Sequence, residues 1–287
     1  MGIFCNIEIG PFVNNALIGL AVKDDVPIIC LQDFWANHRW PSNKKMLPYY
    51  KAVCVLDEFS KKLWLEDGFS GEIHVTGSPA FDRFAGVDVS AEHKRLRRLF
   101  KLESGEKVIL YVGQGVPRHI ESDKKTFAFT IEALRALGAR GLKLAARPHP
   151  RAVETGYYAE IARGLDLLDT SALPFTENIL PLADVIISSL TTNLIHACHL
   201  RLPAVSILLP DAGRKTLKDI GLDDFPPNIV GATIGIYEEN TDQLRDILNR
   251  VFNDENFRNQ IRQAQEKNFP LDSGAAQKVA EAILSLE

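Results

Sequence analysis

Short apolar runs alternate along the chain with stretches that place an apolar residue at every third or fourth position. This alternation predicts parallel strands covered by helices, which is the pattern of an α/β fold. In the first part of the chain the predicted strands are GIFCNIEI, PIICLQD, KAVCVLD and EIHVTGSP. The stretches PFVNNALIGLAVKDD and EFSKKLWLEDG predict helices between them, and Gly68 is expected to end the second helix.

The same alternation continues beyond residue 104. Strands are predicted at KVILYV, LKLAA, LDLLDT, DVIIS and PAVSILLP, and helices at TFAFTIEALRALGAR, YYAEIARGL, NILPLA and TTNLIHACHLRL. The end of the chain, from TDQLRDILNRVFND to SGAAQKVAEAILSL, is expected to be helical. Because repeated βαβ units of this kind build doubly wound sheets, we predict an α/β protein with two Rossmann-like domains.

A basic helical stretch, AEHKRLRRLF, lies between the two regions. We therefore place an abbreviated N-terminal domain at 1–84, a connector helix with a solvated basic face at 85–104, and a C-terminal domain at 105–287. The first domain offers only about two to three strands, fewer than a complete doubly wound sheet. Either this domain is abbreviated or the natural protein extends upstream of Met1. A second copy or a partner chain that completes the sheet is one hypothesis.

The composition limits the classes of partner. The chain has 287 residues, a formal net charge of −4, 46% hydrophobic residues and a pI near 6.0. It therefore offers no general attraction for nucleic acid or an anionic membrane. We see neither a basic leader nor an apolar run of the roughly 20 residues that cross a membrane. The scattered cysteines suggest buried thiols in a reducing compartment, so we expect a cytoplasmic protein.

Polar groups follow three predicted strands of the second domain, where ligands bind in open α/β sheets. Small residues would let a ligand approach the first loop, an Arg and a His stand in a proline-stiffened second loop, and hydroxyls begin the helix after the third. The candidate substrate-binding residues are Gly113, Gln114, Gly115, Arg118, Arg147, His149, Ser189, Thr191, Thr192 and Asn193.

Each group has a structural alternative. A Gly-x-Gly alone is more often a tight turn than a phosphate loop, and Thr191 and Thr192 are ordinary helix caps. For Arg147 and His149 we favour function, because such residues after a buried strand do little for a core. Arg118 and the neighbouring His119 are equally suited to binding phosphate or to a solvated loop.

The order of these motifs resembles the nucleotide-sugar 2-epimerases and related GT-B glycosyltransferases. EIHVTGSPAFDRF is similar to the end of their first domain, RPHP to their His-Pro loop, and LADVIISSLTTNLIHACHLRLPAV to their phosphate loop and following helix. The aromatic loop LQDFWANHRW also resembles a loop of uncharacterised relatives. The resemblance covers residues 30 to 210. It implies that the first domain takes the acceptor and the second a nucleotide-sugar, expected to be linked to UDP.

Two departures from the epimerase pattern bear on chemistry. Where the resemblance implies a Glu that grips the ribose, this chain has His196, which we include among the substrate-binding residues. After the aromatic loop, Pro41-Ser42-Asn43-Lys44-Lys45 lacks the catalytic acid of the epimerases. Epimerase chemistry is therefore not expected.

We predict a glycosyltransferase that binds its donor in the inter-domain cleft and needs no metal or other cofactor. Asp33 and His38 in the aromatic loop are the candidate catalytic bases, although a cap or turn for Asp33 and packing for His38 are equally suitable interpretations. His196 and His199 are spaced as a metal pair, but no third ligand accompanies them, so no metal site is expected. One alternative is a catalytically degenerate nucleotide-sugar-binding or scaffold subunit. A further alternative is a CDP-alcohol phosphotransferase-like enzyme.

Overall fold

The computed structural model describes residues 3–6, 12–114, 119–138, 141–152, 154–211, 213–271 and 274–286, with side chains from residue 18 onward. The contacts divide the chain into two compact units. Unit 1 comprises Met1–Ala85, Lys218–Leu222 and Leu271–Glu287, and unit 2 comprises Gly86–Leu217 and Asp223–Pro270. No helix among the described residues is long and apolar enough to traverse a bilayer.

Unit 1 is built on a parallel sheet whose strands lie side by side in chain order. Its strands are β1 (Ile3–Asn6), β2 (Ile28–Leu31), β3 (Tyr50–Val55) and β4 (Glu72–Val75). The described part of this sheet has four strands, one at each of the four apolar runs predicted as strands, and is smaller than the six-stranded sheet of unit 2. The expectation of an abbreviated α/β domain is confirmed.

Helices flank the sheet of unit 1. They are α1 (Phe12–Lys23), α2 (Pro41–Lys44), α3 (Glu58–Glu66), α4 (Pro79–Asp82) and, from the far end of the chain, α13 (Ala275–Leu284). Asp57 caps α3 by accepting a hydrogen bond from the Ser60 N–H at 2.7 Å. Gly68, just beyond this helix, has the positive φ of 78° that a glycine adopts without strain.

The carboxylate of Asp82 joins α13 to unit 1. Its Oδ1 accepts from the Ala275 N–H at 3.1 Å and its Oδ2 from the Ala276 N–H at 2.7 Å. A carboxylate in this place satisfies two of the free N–H groups of a helix start and complements the helix dipole. Val279 and Ala282 of α13 then pack on Cys54 of β3. The last helix therefore completes the core of unit 1.

Unit 2 carries a parallel sheet in the order β7-β6-β5-β8-β9-β10. The strands are β5 (Lys107–Val112), β6 (Leu142–Arg147), β7 (Asp166–Leu167), β8 (Val185–Ser188), β9 (Ala204–Ile207) and β10 (Ile234–Ile236). The chain moves outward from β5 to β7, returns to pair β8 with β5, and moves outward again to β10. This is the strand order of a doubly wound Rossmann sheet.

The helices of unit 2 cover its sheet. They are α5 (Val89–Leu99), α6 (Ile120–Leu137), α7 (Gly156–Ile161), α8 (Thr192–His199), α9 (Gly213–Asp219), α10 (Pro226–Ile229), α11 (Thr241–Asn253) and α12 (Glu255–Asn268). Buried residues such as Ile109, Phe127 and Leu248 form one continuous core between sheet and helices. The predicted Rossmann-like fold of this region is confirmed.

Three features differ from the sequence-based expectations. The stretch expected to be a connector helix is helical, as α5, but it packs within unit 2, where its Leu96 is buried and its His93 contacts the Pro181 carbonyl at 2.9 Å. The end of the chain, expected in the second domain, lies in unit 1. The edge strand β10 was not predicted, because Ile-Gly-Ile is too short to give a periodic signal.

Replacing Asp82 by Ala should destabilise unit 1 by about 1–2 kcal/mol, since two N–H groups at the start of α13 lose their charged acceptor. All three tryptophans, Trp35, Trp40 and Trp64, lie in unit 1. Tryptophan fluorescence during urea unfolding therefore measures this change. As a control, Asp88→Ala removes the equivalent cap of α5 in unit 2 and should leave the tryptophan transition in place. An unchanged midpoint for Asp82→Ala would show that these two hydrogen bonds add nothing to the stability of unit 1.

Candidate functional site

The carboxyl ends of β5 and β8 form the point in unit 2 where the direction of winding reverses. The two strands pair in parallel, with Val112 opposite Ser188. In a sheet of this strand order the loops after these two strands lead to opposite faces, and ligands of open α/β sheets bind at the crevice between such loops. This edge is therefore the candidate ligand site.

The loop after β8 presents a buried hydroxyl. Ser188 Oγ donates to the Val112 carbonyl and ties the two strands together. The next residue, Ser189, is only 4% exposed, and its Oγ has no hydrogen-bond partner among the described residues. Gly213 packs against it so closely that a Cβ there would lie 2.6 Å from this oxygen. Because a buried hydroxyl without a partner costs free energy, Ser189 is suited to a ligand oxygen.

The helix that follows offers further donors. Thr191 is the N-cap of α8, and its Oγ1 accepts from the Asn193 N–H at 3.3 Å. A capping hydroxyl keeps its own proton, so Thr191 can still donate to an anion. Thr192 begins α8 and is exposed. The helix start therefore lies where the sequence placed it, next to Ser189, and its dipole favours negative charge.

Arg147 is the last residue of β6, and its guanidinium holds the loop after β7. Nη1 donates to the carbonyl and Oγ1 of Thr170, each at 3.1 Å, and Nη2 donates to the Pro174 carbonyl at 2.7 Å. Burial lowers the pKa of Arg147 from its ordinary value, more than nearby Glu177 raises it. The expected free donor fork is thus engaged with the protein. Its assignment to substrate binding stays a prediction.

His149, two residues further, is half-buried and neutral. Its Nδ1 accepts from the Arg151 N–H at 3.1 Å, which leaves the ring proton on Nε2. Burial, and then the charge of Arg151, lower the pKa of this imidazole. His149 is therefore a hydrogen-bond donor through Nε2 at neutral pH.

Phe175 belongs to this edge and was not among the predicted residues. It is 65% exposed and precedes a 3₁₀ turn at Thr176–Asn178 that packs against α8. Arg147 fixes the residues just before it. An exposed aromatic ring on a loop held this way is a stacking surface for a planar ligand. Its segment has no periodic pattern of apolar residues and therefore predicts only a connection.

The loop after β5 is held tightly. The Gly113 N–H donates to the Arg147 carbonyl at 2.9 Å, and a Cβ at Gly113 would lie 1.8 Å from the Tyr158 hydroxyl. This glycine is therefore required by its neighbours in the protein, and not only by a ligand. Gln114 follows, half-buried. The predicted binding residues Gly115 and Arg118 lie outside the described residues.

The histidines of α8 lie in the interior of unit 2. His196 and His199 are 6% and 5% exposed, and His199 Nδ1 contacts the Pro270 carbonyl at 3.2 Å. Within the described part of the chain, no three His, Cys, Asp or Glu side chains are grouped to hold a metal ion. The predicted contact of His196 with a ligand stays a prediction.

The aromatic loop of unit 1 is anchored by polar contacts. Asp33 is half-buried and accepts a short hydrogen bond from Asn37 Nδ2. Trp35 Nε1 donates to Asp57 Oδ2 at 2.7 Å, the same carboxylate that caps α3. The loop thus has one fixed conformation at the carboxyl end of β2.

His38, the other candidate base, is fully buried. Its ring stacks on Trp64 with centroids 4.2 Å apart, and its Nε2 lies 2.8 Å from Asp67 Oδ2. Burial lowers the pKa of His38, more than the hydrogen bond and charge of Asp67 raise it. The neutral ring therefore donates to Asp67. Of its two interpretations, packing agrees better with this geometry than a catalytic base does, and Asp33 is the more accessible candidate.

Comparison by sequence gives no match, either to a protein-family model or to a curated protein. Comparison by structure finds proteins of similar fold. A proposed UDP-N-acetylglucosamine 2-epimerase from Listeria monocytogenes is 14% identical, with a TM-score of 0.70 over 98% of this chain and 72% of its own. The 2-epimerase from Neisseria meningitidis, bound to UDP-GlcNAc, is also 14% identical, with a TM-score of 0.67 over 95% of this chain and 73% of its own.

The wall teichoic acid polymerase TagF, solved with CDPG, is similar to a lesser degree. It is 16% identical, with a TM-score of 0.55 over 92% of this chain and 70% of its own. At such identities the likeness shows the fold. The GT-B-like fold that the sequence resemblance implies is confirmed.

The lowered pKa of His38 predicts that unit 1 loses stability in acid. Below the ordinary value of 6.5 the unfolded chain takes up a proton that the folded protein resists. The free energy of unfolding should therefore fall as the pH drops from 7.5 to 5.5, by at most about 1.4 kcal/mol per pH unit for this one group. Urea unfolding followed by tryptophan fluorescence measures this slope. His38→Gln should flatten it. An equal slope in His38→Gln and the wild type would refute the assignment.

Proposed function

We propose, from the GT-B-like fold of the chain, that unit 2 binds the diphosphate of a nucleotide-linked donor and that the protein transfers the group the donor carries. The observation that carries this proposal is Ser189, whose buried hydroxyl lacks a partner among the described residues and lies beside the start of α8. A diphosphate oxygen would satisfy that hydroxyl while the helix dipole stabilises its charge.

The neighbouring groups complete a site for a diphosphate. Thr191 and Thr192 supply hydroxyls at the helix start, and His149 supplies a neutral Nε2 donor from the adjoining edge of the sheet. These donors are fixed by secondary structure before the ligand arrives. They would therefore stabilise the charge that builds up on a departing diphosphate without reorganising.

The nucleobase is proposed to stack on Phe175. This ring is exposed, its loop is held by Arg147, and the turn that follows packs against α8. Aromatic stacking tolerates any base, because every base has a π-face. The expected preference for UDP therefore rests on the sequence resemblance and on the 2-epimerase fold. It stays part of the proposal.

The proposed reaction is glycosyl transfer. The bond between the anomeric carbon and the diphosphate oxygen breaks, an acceptor hydroxyl oxygen bonds to that carbon, and a base takes the hydroxyl proton. Asp33 is the proposed base, since its carboxylate is half-buried at the carboxyl end of β2 while His38 is enclosed. We propose that transfer needs no metal, so that donor binding and turnover are unaffected by EDTA.

Two alternatives remain from the sequence. A degenerate binding subunit would bind the donor and show no hydrolysis or transfer. A CDP-alcohol phosphotransferase-like enzyme has the support of the fold likeness to TagF. That likeness is weaker, with a TM-score of 0.55, than the likeness to the first epimerase named above, with a TM-score of 0.70. A preference for CDP over UDP compounds would select the phosphotransferase.

Nucleoside diphosphates should stabilise the protein against heat. A ligand that binds only the folded state adds about 2.7 kcal/mol at about 100 times its Kd. Thermal unfolding with UDP, GDP, CDP, dTDP and CMP measures the shift and identifies the base. Ser189→Ala should leave the unliganded midpoint unchanged or raised, because it removes an unsatisfied buried group, but weaken diphosphate binding about tenfold.

A second variant, Arg147→Ala, tests the contribution of the loop after β7, and Arg135→Ala is its matched control. Arg135 also donates to main-chain carbonyls, those of Ile161 and Arg163, but it lies at the C-terminal end of α6. Arg147→Ala should reduce the nucleotide shift, because it releases the loop that carries Phe175, and Arg135→Ala should retain the full shift. If no nucleotide shifts the folded wild-type protein, the proposed function is wrong.

Phe175→Ala should separate base from phosphate. Loss of the stacking surface is expected to weaken UDP binding by about 1–3 kcal/mol, while inorganic diphosphate should bind as before. Phe175→Trp keeps an aromatic face and should retain UDP affinity. Isothermal titration calorimetry with both ligands makes the comparison. Equal UDP affinity for Phe175→Ala and the wild type would exclude stacking on this ring.

A further inference from the structure

A buried carboxylate lies behind the candidate site. Asp123, in the first turn of α6, is only 2% exposed. Its Oδ1 accepts from the Tyr111 hydroxyl and from the Gln114 N–H, each at 2.9 Å, and its Oδ2 accepts short hydrogen bonds from the hydroxyls of Tyr157 and Tyr158. An enclosed carboxylate is costly unless its oxygens are satisfied, and here four donors satisfy them.

The donors come from three separate parts of unit 2. Tyr111 lies on β5, Tyr157 and Tyr158 lie on α7, and Gln114 belongs to the loop that leaves β5. That loop is the one at the reversal point of the sheet. The Gln114 N–H is the main-chain donor in this cluster, so the carboxylate directly fixes the backbone there.

Close packing adds to this constraint. A Cβ on Gly113 would lie 2.9 Å from Asp123 Oδ2 as well as against Tyr158. The rings of Tyr111 and Tyr158 pack on Phe127, and the Tyr157 and Tyr158 centroids are 4.2 Å apart. Burial and the charge of Asp123 together raise the pKa of Tyr158. The three hydroxyls therefore keep their protons and serve as donors.

The same charge is felt by the loop after β6. The carboxylate of Asp123 acts to raise the pKa of His149, against the larger opposite effect of burial. Asp123 thus lies within electrostatic reach of a proposed diphosphate donor while it holds the backbone of the neighbouring loop. A purely apolar core would fill the same space and exert neither effect.

We infer that Asp123 is a positioning residue for the diphosphate site: it holds the main chain at Gln114, where the loop after β5 begins, and ties this point to α7 through the hydroxyls of Tyr157 and Tyr158. This inference rests on the proposed function, since it concerns the same ligand. It differs from a packing role, because it requires the hydrogen bond to the loop and not only a filled core.

The test separates loop position from stability. Asp123→Leu alone leaves the three tyrosine hydroxyls without their acceptor and should destabilise the protein. Combining Asp123→Leu with Tyr111→Phe, Tyr157→Phe and Tyr158→Phe removes both sides of the side-chain bonds, which is nearly neutral in similar cases, and should restore the thermal midpoint. The Gln114 N–H still lacks its acceptor in this apolar variant. Its hydrogen exchange, measured by NMR, should be at least about tenfold faster, and the Kd for UDP at least about tenfold higher.

Two internal controls accompany the measurement. The Gly113 amide donates to the Arg147 carbonyl, so its exchange should not change in the apolar variant. Arg135→Ala, which removes main-chain hydrogen bonds at the opposite end of α6, should exchange and bind like the wild type. Wild-type protection of Gln114 together with wild-type UDP affinity in the apolar variant would overturn the inference.

The outcome remains readable if the proposed function fails. Should the wild type bind no nucleoside diphosphate, the proposed function is refuted, and the exchange of Gln114 decides the inference about the loop by itself. Faster exchange confined to Gln114 then supports a positioning role. Unchanged exchange contradicts it.

Discussion

The parallel pairing of β5 with β8 decides where unit 2 can hold a ligand. Because the chain reverses its direction of winding between these strands, the loops that follow them lead to opposite faces of the sheet. The carboxyl edge between these loops is where a ligand can reach polar groups. The hydrogen bond from Ser188 to the Val112 carbonyl fixes the two strand ends. Ser189, the start of α8 and the Asp123 cluster all take their places from that pair.

Hydrogen bonding at this edge falls into two classes. The Arg147 guanidinium and the Asp123 carboxylate form their hydrogen bonds within the protein, where they hold the loops after β7 and β5. The Ser189 hydroxyl and Nε2 of His149 remain available to a ligand, because neither donor is needed to keep the loops in place. A preorganised site requires both classes, for a loop that moves on binding loses affinity to the cost of ordering it.

The fold could largely be predicted from sequence, and the site only in part. Long apolar runs gave the central strands, and the hydroxyl-rich segment gave the start of α8. The partner of α13 was not predictable, because amphipathicity shows that a face is buried and not what covers it. Asp123 reads in sequence as an ordinary acidic residue of a first helical turn. Burial of His38 and engagement of Arg147 likewise depend on contacts distant in sequence.

The attachment of α13 to Asp82 has a consequence for biosynthesis. These two elements are separated by almost the whole of unit 2 along the chain, so the contact closes a very long loop. During translation the strands of unit 1 emerge before unit 2, yet the helix that covers one of their faces emerges after it. Unit 2 has all of its strands available before that moment. The unit whose strands are made earlier is therefore completed later. Until α13 is made, the apolar face around Cys54 lacks the helix that covers it.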